Sequence, residues 1–177
     1  MEEVILVDEH DAELGTLEKM EAHIQGKLHR AFSIFIFNQK GDMLLQQRAI
    51  EKYHSGGLWT NTCCSHPRPG ESIANAAQRR LSEEMGFTTP LTKIFDFKYQ
   101  ATFENGLIEH EFDHVLTGVY EGNIVPNTNE VRDYQYLAIK DIKSGIEKSS
   151  QLYTAWFCIA FPKIEEWLII QSSTKKA

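Results

Sequence analysis

Several groups of residues in this chain have types and spacings that could do chemistry. The first is Glu71, Arg79, Arg80, Glu83, Glu84 and Gly86. Arg79 with Glu83 and Arg80 with Glu84 are i,i+4 pairs, and on helix pattern alone they read as a solvated face laced with ion pairs. Glu84, however, falls angularly between Ile73 and Ala77, at the edge of the apolar stripe of the same segment. A carboxylate there needs a partner or a metal. Carboxylates and arginines together on one helix can hold a divalent cation and a diphosphate. The second group is Trp59-Thr60-Asn61-Thr62-Cys63-Cys64-Ser65-His66-Pro67. A Cys two residues before a His reads as a metal pair, as a nucleophile with its base, or as an inert buried thiol. A structural zinc site of four cysteines, or of two cysteines and two histidines, is not expected. Cys158 lies far away in an amphipathic helix pattern and reads as core.

The third group is Glu109-His110-Glu111. A strand's period of two puts Glu109, Glu111 and Asp113 on one face, with His110 and His114 on the other. This is either a polar face toward water or a pair of metal-directed or proton-transferring carboxylates. The fourth is His23 and His29, the latter inside the basic segment Lys27–Arg30. As isolated histidines they read as surface residues before ligands.

The elements that must position these groups follow from hydrophobic periodicity. Val4–Val7 reads as a short strand, Asp11–Gly15 as a turn, and Leu17–Gln25 as helical or irregular. Ala31–Phe37 is an apolar aromatic run typical of a buried strand. Asn38–Asp42 is a turn, and Met43–Arg48 the returning strand of a hairpin. Gly56–Gly70, rich in Gly, Pro, Cys and His, reads as a functional loop or a short strand within one. In Glu71–Gly86, Ile73, Ala77, Leu81 and Met85 form one helical stripe, Ser72 is the N-cap and Gly86 the C-cap. Ile94–Thr102 and Ile108–Tyr120 read as strands joined across the hairpin signal Glu104-Asn105-Gly106. Tyr134–Ile139 reads as another strand. Leu152–Ala160 and Ile164–Ile170 read as helices, with Pro162 breaking or starting one between them. Several strands with few helices favour a mixed α/β sandwich over a doubly wound parallel sheet.

Length and composition narrow the function classes. The 177 residues suit one domain, expected to span 1–177 with a core over 4–171 and a frayed tail at 172–177. The chain is 42% hydrophobic and 24% charged, so it folds without a disulfide scaffold. Its 18 basic against 25 acidic residues, net −7, disfavour a nucleic-acid binder working through a basic surface, but leave room for a locally basic cleft around a small anion. Three cysteines, two of them adjacent, make no disulfide framework and suit a reducing compartment. The acidic N-terminus, with only Val4–Val7 apolar, is neither a signal nor a basic transit peptide, and no apolar run is long enough to span a bilayer. A cytoplasmic location away from membranes is therefore expected.

Glu71-x7-Arg79-Arg80-Leu81-x-Glu83-Glu84-x-Gly86-Phe87 resembles the Nudix signature, Gly-x5-Glu-x7-Arg-Glu-apolar-x-Glu-Glu-x-Gly-apolar. It departs twice: Ser65 stands for the first Gly, and Arg80 for the Glu of Arg-Glu. In Nudix hydrolases that Glu is catalytic and binds metal, so Arg80 reverses a charge in the metal site. The joint order is more specific. His23-x5-His29 comes first, then Trp59-Thr60-Asn61-x-x-Cys64-x-His66-Pro67, then the altered box, then Glu109-x-Glu111 and an aromatic helix around Trp156. Supporting stretches include Gly15–Lys19, Leu28–Ser33, Gln47–Ala49, Phe97–Thr102 and Glu130–Tyr136. Over nearly the whole chain this order resembles the type I isopentenyl-diphosphate delta-isomerases.

The resemblance implies a Nudix-type α/β/α sandwich, of class α/β (α+β), with two mixed sheets between helices and the N-terminal segment covering the site. It implies an isomerase that interconverts isopentenyl and dimethylallyl diphosphate in isoprenoid biosynthesis, by protonation and deprotonation through a carbocation-like state. By similarity Cys64 is the catalytic thiol, Glu111 the second acid/base, Tyr99 its hydrogen-bond partner, and Trp156 a π face for the cation. Lys19, Arg48, Lys52 and Arg80 match the cations that bind diphosphate. His23, His29, His66, Glu109 and Glu111 match a three-His, two-Glu metal site, suited to Zn²⁺ or Mn²⁺. Glu84 matches the ligand of an Mg²⁺ that bridges to the diphosphate. The expected partner is this small isoprenoid diphosphate, with no nucleic acid or membrane, on a monomer or weak homodimer. The rival readings are a Nudix hydrolase of nucleoside diphosphate derivatives and a non-catalytic Nudix-like binding protein.

Overall fold

The computed structural model describes residues 2–52, 54–103 and 105–174. The elements in chain order are β1 (Glu3–Val7), β2 (Glu13–Glu18), α1 (Lys19–Gln25), β3 (His29–Phe37), β4 (Met43–Arg48), β5 (Trp59–Thr60), β6 (Cys63–Ser65), α2 (Ile73–Met85), β7 (Thr92–Thr102), β8 (Ile108–Val119), β9 (Val131–Leu137), α3 (Ile139–Ser149) and α4 (Ala155–Thr174), with a 3₁₀ turn at Ser150–Leu152. The strands join through β3 into one mixed network rather than two separate sheets. One edge of β3 runs parallel to β8 along its whole length. The other edge is shared in turn by β1, β6 and β4, all antiparallel.

β3 is apolar on both faces because both are covered. Phe32, Ile34 and Ile36 pack with Leu44, Leu116 and the α2 stripe of Ala77, Leu81 and Met85. Phe35 and Phe37 point the other way, into a cluster with Val115, Ile142 of α3, and Phe157, Phe161 and Ile164 of α4. The result is the expected α/β/α sandwich. The α2 caps are as read: the Ser72 hydroxyl accepts from Asn75 N at 3.3 Å, and Gly86 ends the helix at φ +75°. A Cβ at Gly86 would also lie 2.1 Å from the Val125 carbonyl oxygen, so no larger residue fits.

Several elements differ from the sequence reading. The first turn lies earlier than Asp11–Gly15: the Asp8 carboxylate accepts from His10 N and Ala12 N at 2.8 and 2.9 Å, so β2 begins at Glu13. Pro162 neither breaks nor starts a helix but sits inside α4. An interior proline costs about 3 kcal/mol. Burial of Phe157 and Phe161 before it and at its side, and of Ile164 after it, offsets that at about 1.5–3 kcal/mol each. Helix α3 was not anticipated, and the strand read at Tyr134–Ile139 is displaced to β9. Within α3, a Cβ on Gly145 would lie 2.3 Å from the Tyr153 hydroxyl, so its absence of side chain serves close packing. Cys158 is half-buried rather than core. Ser172–Thr174 remain in α4, where a frayed tail was expected, and Lys175–Ala177 lie outside the described residues. Glu104 of the hairpin turn also lies outside them; Gly106 N donates to Phe103 O at 2.9 Å and closes that turn.

Candidate active site

The Trp59–Pro67 segment is fixed by its small polar residues before it does any chemistry. The buried Thr62 hydroxyl donates to Leu44 O at 2.7 Å and accepts from Ile36 N at 3.0 Å. Asn61 Nδ2 donates to Cys63 O and Ile34 O at 2.9 and 3.2 Å. β6 is thereby pinned to β3, with alternate side chains on opposite faces. Cys63 goes into the α2-side core, while Cys64 lines the cavity. At Cys64, Trp156 Nε1–H donates to Sγ at 3.0 Å, and the thiol faces Asn61 Oδ1 at 3.3 Å. Burial pushes the Cys64 thiol up, against Arg48 and the indole N–H, so it keeps its proton at neutral pH. The indole N–H favours the thiolate and so eases the proton's departure.

Glu109 and Glu111 share one face of β8, and Tyr99 of β7 stands opposite Glu111 in the antiparallel ladder. The Tyr99 hydroxyl lies 3.0 Å from Glu109 Oε2 and 2.6 Å from Glu111 Oε2. A phenol has one proton to give, so this close spacing suits one neutral and one ionised carboxyl. The environments agree. Burial and the neighbouring Glu111 charge raise Glu109 well above its ordinary range. Burial also opposes ionisation of Glu111, but the imidazoles beside it, His66 at 2.9 Å and His29 at 3.7 Å, outweigh it and hold Glu111 well below that range. Burial, with the two carboxylates, raises Tyr99 as well.

His23 and His29 are not surface residues: both are fully buried. Each is oriented through Nδ1, His23 at 2.7 Å from Lys19 O and His29 at 2.8 Å from Lys27 O. A carbonyl partner requires the proton on Nδ1 and leaves Nε2 bare. His29 Nε2 and His66 Nε2 are 3.2 Å apart, and His66 Nε2 is 2.9 Å from Glu111 Oε1. Burial lowers His23, and pushes His66 down to about 4, so these rings are neutral donors. Ligand atoms of His23, His29, His66 and Glu111 lie within 4.8 Å of one another. This donor set suits a borderline divalent ion. Glu109 falls outside that tight group and makes a second one, also within 4.8 Å, with His23 and His54.

The expected cations Lys19, Arg48, Lys52 and Arg80 line the same cavity, with Glu84 among them. Glu84 accepts from Arg80 at 2.6 Å and from Gln46 at 2.8 Å. Lys52 pairs with Glu130, which also lies 3.6 Å from Arg80. Arg48 stands 5.2 Å from the centre of the Trp156 ring. Every site residue expected from the sequence is therefore in or against one cavity. His54 and Glu130 were missed. Glu130 opens the Glu130–Tyr136 stretch that carries part of the resemblance, and His54 is marked only as a histidine just before the Gly56-Gly57 pair.

The NUDIX domain model matches residues 27–157. A Pectobacterium atrosepticum protein named isopentenyl-diphosphate Delta-isomerase is 50% identical over 165 residues, covering 93% of this chain and 92% of its own. The chain belongs to the isopentenyl-diphosphate Delta-isomerase family. Another relative in that family, isopentenyl-diphosphate Delta-isomerase 2 of Photorhabdus laumondii, is 47% identical over 94% of this chain and 98% of its own. The fold alone is shared more widely. The Deinococcus radiodurans protein DR0079 superposes with a TM-score of 0.76 at 15% identity, over 92% of this chain and 98% of its own. A MutT protein of Methanosarcina mazei Go1 gives 0.65 at 19% identity, over 78% of this chain and 94% of its own. Membership of the isomerase family gives the altered Nudix box a physical sense. Arg80 neutralises Glu84 and Glu83, at 2.6 and 2.8 Å, where a hydrolase would add a further carboxylate.

Proposed function

We propose that this chain isomerises isopentenyl diphosphate to dimethylallyl diphosphate and back, moving a C=C bond by gain of a proton at one carbon and loss of one at another. The observation that carries this reading is the placement of Cys64 and the Tyr99–Glu111 pair in one cavity with a wall of cations. An unactivated alkene is a very weak base, so two well-placed proton-transfer groups are needed, one giving while the other takes. Cys64 holds its proton and Glu111 does not, and such opposed environments are how acid and base roles separate. In the reverse direction the two exchange roles. Trp156, 4% exposed, offers a π system that stabilises positive charge without capturing it as water would.

Lys19, Arg48, Lys52 and Arg80 bind the diphosphate by charge-assisted hydrogen bonds. Zn²⁺ or Mn²⁺ on the histidine–glutamate set would fix Glu111 and tune its acidity, and Mg²⁺ on Glu84 would neutralise the diphosphate. We take the chain as one domain, acting as a monomer or weak homodimer. The bacterial relatives and the free cysteines support placing the reaction in the cytoplasm. No helix of the described residues is long and apolar enough to cross a membrane.

The test is to incubate the protein with isopentenyl diphosphate, Mg²⁺ and trace Zn²⁺ or Mn²⁺, and to measure dimethylallyl diphosphate and released phosphate together. Isomer without phosphate supports the reading. Phosphate or pyrophosphate release, from this substrate or from nucleoside diphosphate derivatives, returns the chain to the hydrolases. Neither product, with metal bound, makes it a binding protein.

A further inference from the structure

His54 lies in the loop between β4 and β5 and is 7% exposed. Its ring stacks on Phe103 at 4.6 Å and 13°, and meets Trp156 edge-on at 5.7 Å. The loop that carries it is held in an uncommon shape. Ser55 has φ +53° and Gly57 φ +78°, and a Cβ on Gly56 would lie 2.2 Å from Ile50 O. This geometry directs Nε2 to 3.3 Å from Glu109 Oε1 and places Nδ1 3.2 Å from the Ser55 hydroxyl.

A common pattern links His54 to its neighbours. His23 and His29 each give Nδ1 to an oxygen and turn Nε2 inward, and His66 also points Nε2 at the carboxylates. The Ser55 hydroxyl can accept from Nδ1–H of His54, which puts the proton on Nδ1 and the lone pair on Nε2, facing the same cavity. Ligand atoms of His23, His54 and Glu109 lie within 4.8 Å of one another. Bonds of about 2.0–2.2 Å to imidazole and carboxylate put two donors on one ion no more than roughly 4.4 Å apart, so modest side-chain movement suffices.

We propose that His54 is a metal-binding residue: with His23 and Glu109 it forms a second donor set, sharing His23 with the set of His29, His66 and Glu111, so that one ion is bound by four imidazoles. This rests on the reading that the cavity holds a transition-metal ion, and it adds a donor to it. It accounts for the position of Glu109, which faces His54 rather than the tight group around Glu111. His23 offers a single lone pair at Nε2, so the two sets serve one ion rather than two.

The experiment uses the whole chain with ¹⁵N-labelled histidine, loaded with Zn²⁺ alone. Long-range ¹H–¹⁵N spectra separate metal-bound from free imidazole nitrogens among the seven histidines. The expected result is four metal-bound rings at one Zn²⁺ per chain. In His54→Gln or His54→Asn one of those signals disappears, and Zn²⁺ affinity falls at least about tenfold. Three metal-bound rings in the parent chain overturn the proposal, even if neither variant folds. So does a variant that binds more weakly while its parent already had only three, since His54 would then act through Glu109. A parent chain that binds no Zn²⁺ removes the metal reading itself, a distinct failure.

Discussion

Replacing Tyr99 by Phe removes one oxygen and leaves the ring, which stacks on Phe97 at 5.7 Å, in place. That oxygen is 2.6 Å from Glu111 and 3.0 Å from Glu109, both buried, so the change falls on the proton-transfer carboxylate Glu111 and its neighbour Glu109. A hydrogen bond to a charged group contributes about 1.5–3 kcal/mol. If that interaction is made in the reacting complex, its loss lowers kcat by roughly 10- to 150-fold, at about 1.36 kcal/mol per decade. Tyr99 makes no hydrogen bond to Lys19, Arg48, Lys52 or Arg80 among the contacts described, so KM should stay within about twofold. The assay is steady-state isomerisation over a range of isopentenyl diphosphate concentrations, with thermal melts as a fold control. An unchanged kcat, or a raised KM at constant kcat, would refute the assignment of Tyr99 to the proton-transfer pair.

Other substitutions separate the remaining roles. Cys64→Ala should abolish turnover, whereas Cys63→Ala, on the core face of β6, should keep substantial activity and lose about 1 kcal/mol of stability in urea titrations; the reverse pattern would exchange the thiols. Arg80→Glu places a third carboxylate beside Glu83 and Glu84 and should raise KM at least about tenfold, and an unchanged KM would remove Arg80 from the diphosphate site. Arg79 holds Glu71 down to about 2, against an ordinary 4.5. The depressed value makes this stabilisation full above about pH 4.5 and lost as pH falls toward 2. After discounting for exposure it is about 1 kcal/mol, so the stability gap between the parent and Arg79→Met should close across that window. Chelator treatment should inactivate the enzyme and Zn²⁺ or Mn²⁺ restore it; full activity after verified metal removal would contradict the metal reading.

The site was more legible in the sequence than parts of the fold around it. Cys64, His66, Glu84 and Glu111 were singled out by the resemblance to a family, each group being ambiguous by itself, and they converge on one cavity. Elements governed by long-range packing were not legible. Pro162 marks a helix break by local propensity, but apolar side chains on both sides bury in the same cluster and carry the helix through. α3 was not read at all, and it carries Gly145, a poor helix former whose reason, the nearby Tyr153 hydroxyl, is a tertiary contact. His23 and His29 looked isolated because their neighbours are His66 and Glu111, far along the chain. His54 was missed for the same reason: its partners Glu109, Phe103 and Trp156 come from β8, the loop after β7, and α4.

The most direct test of the central claim is the reaction run in deuterated water and followed by NMR. The two-site proton transfer predicts dimethylallyl diphosphate carrying deuterium at the newly formed methyl group, with no phosphate released, and no incorporation when Cys64 is replaced by Ala. Isomer formed without deuterium at that methyl, or full incorporation by the Cys64→Ala protein, would contradict it.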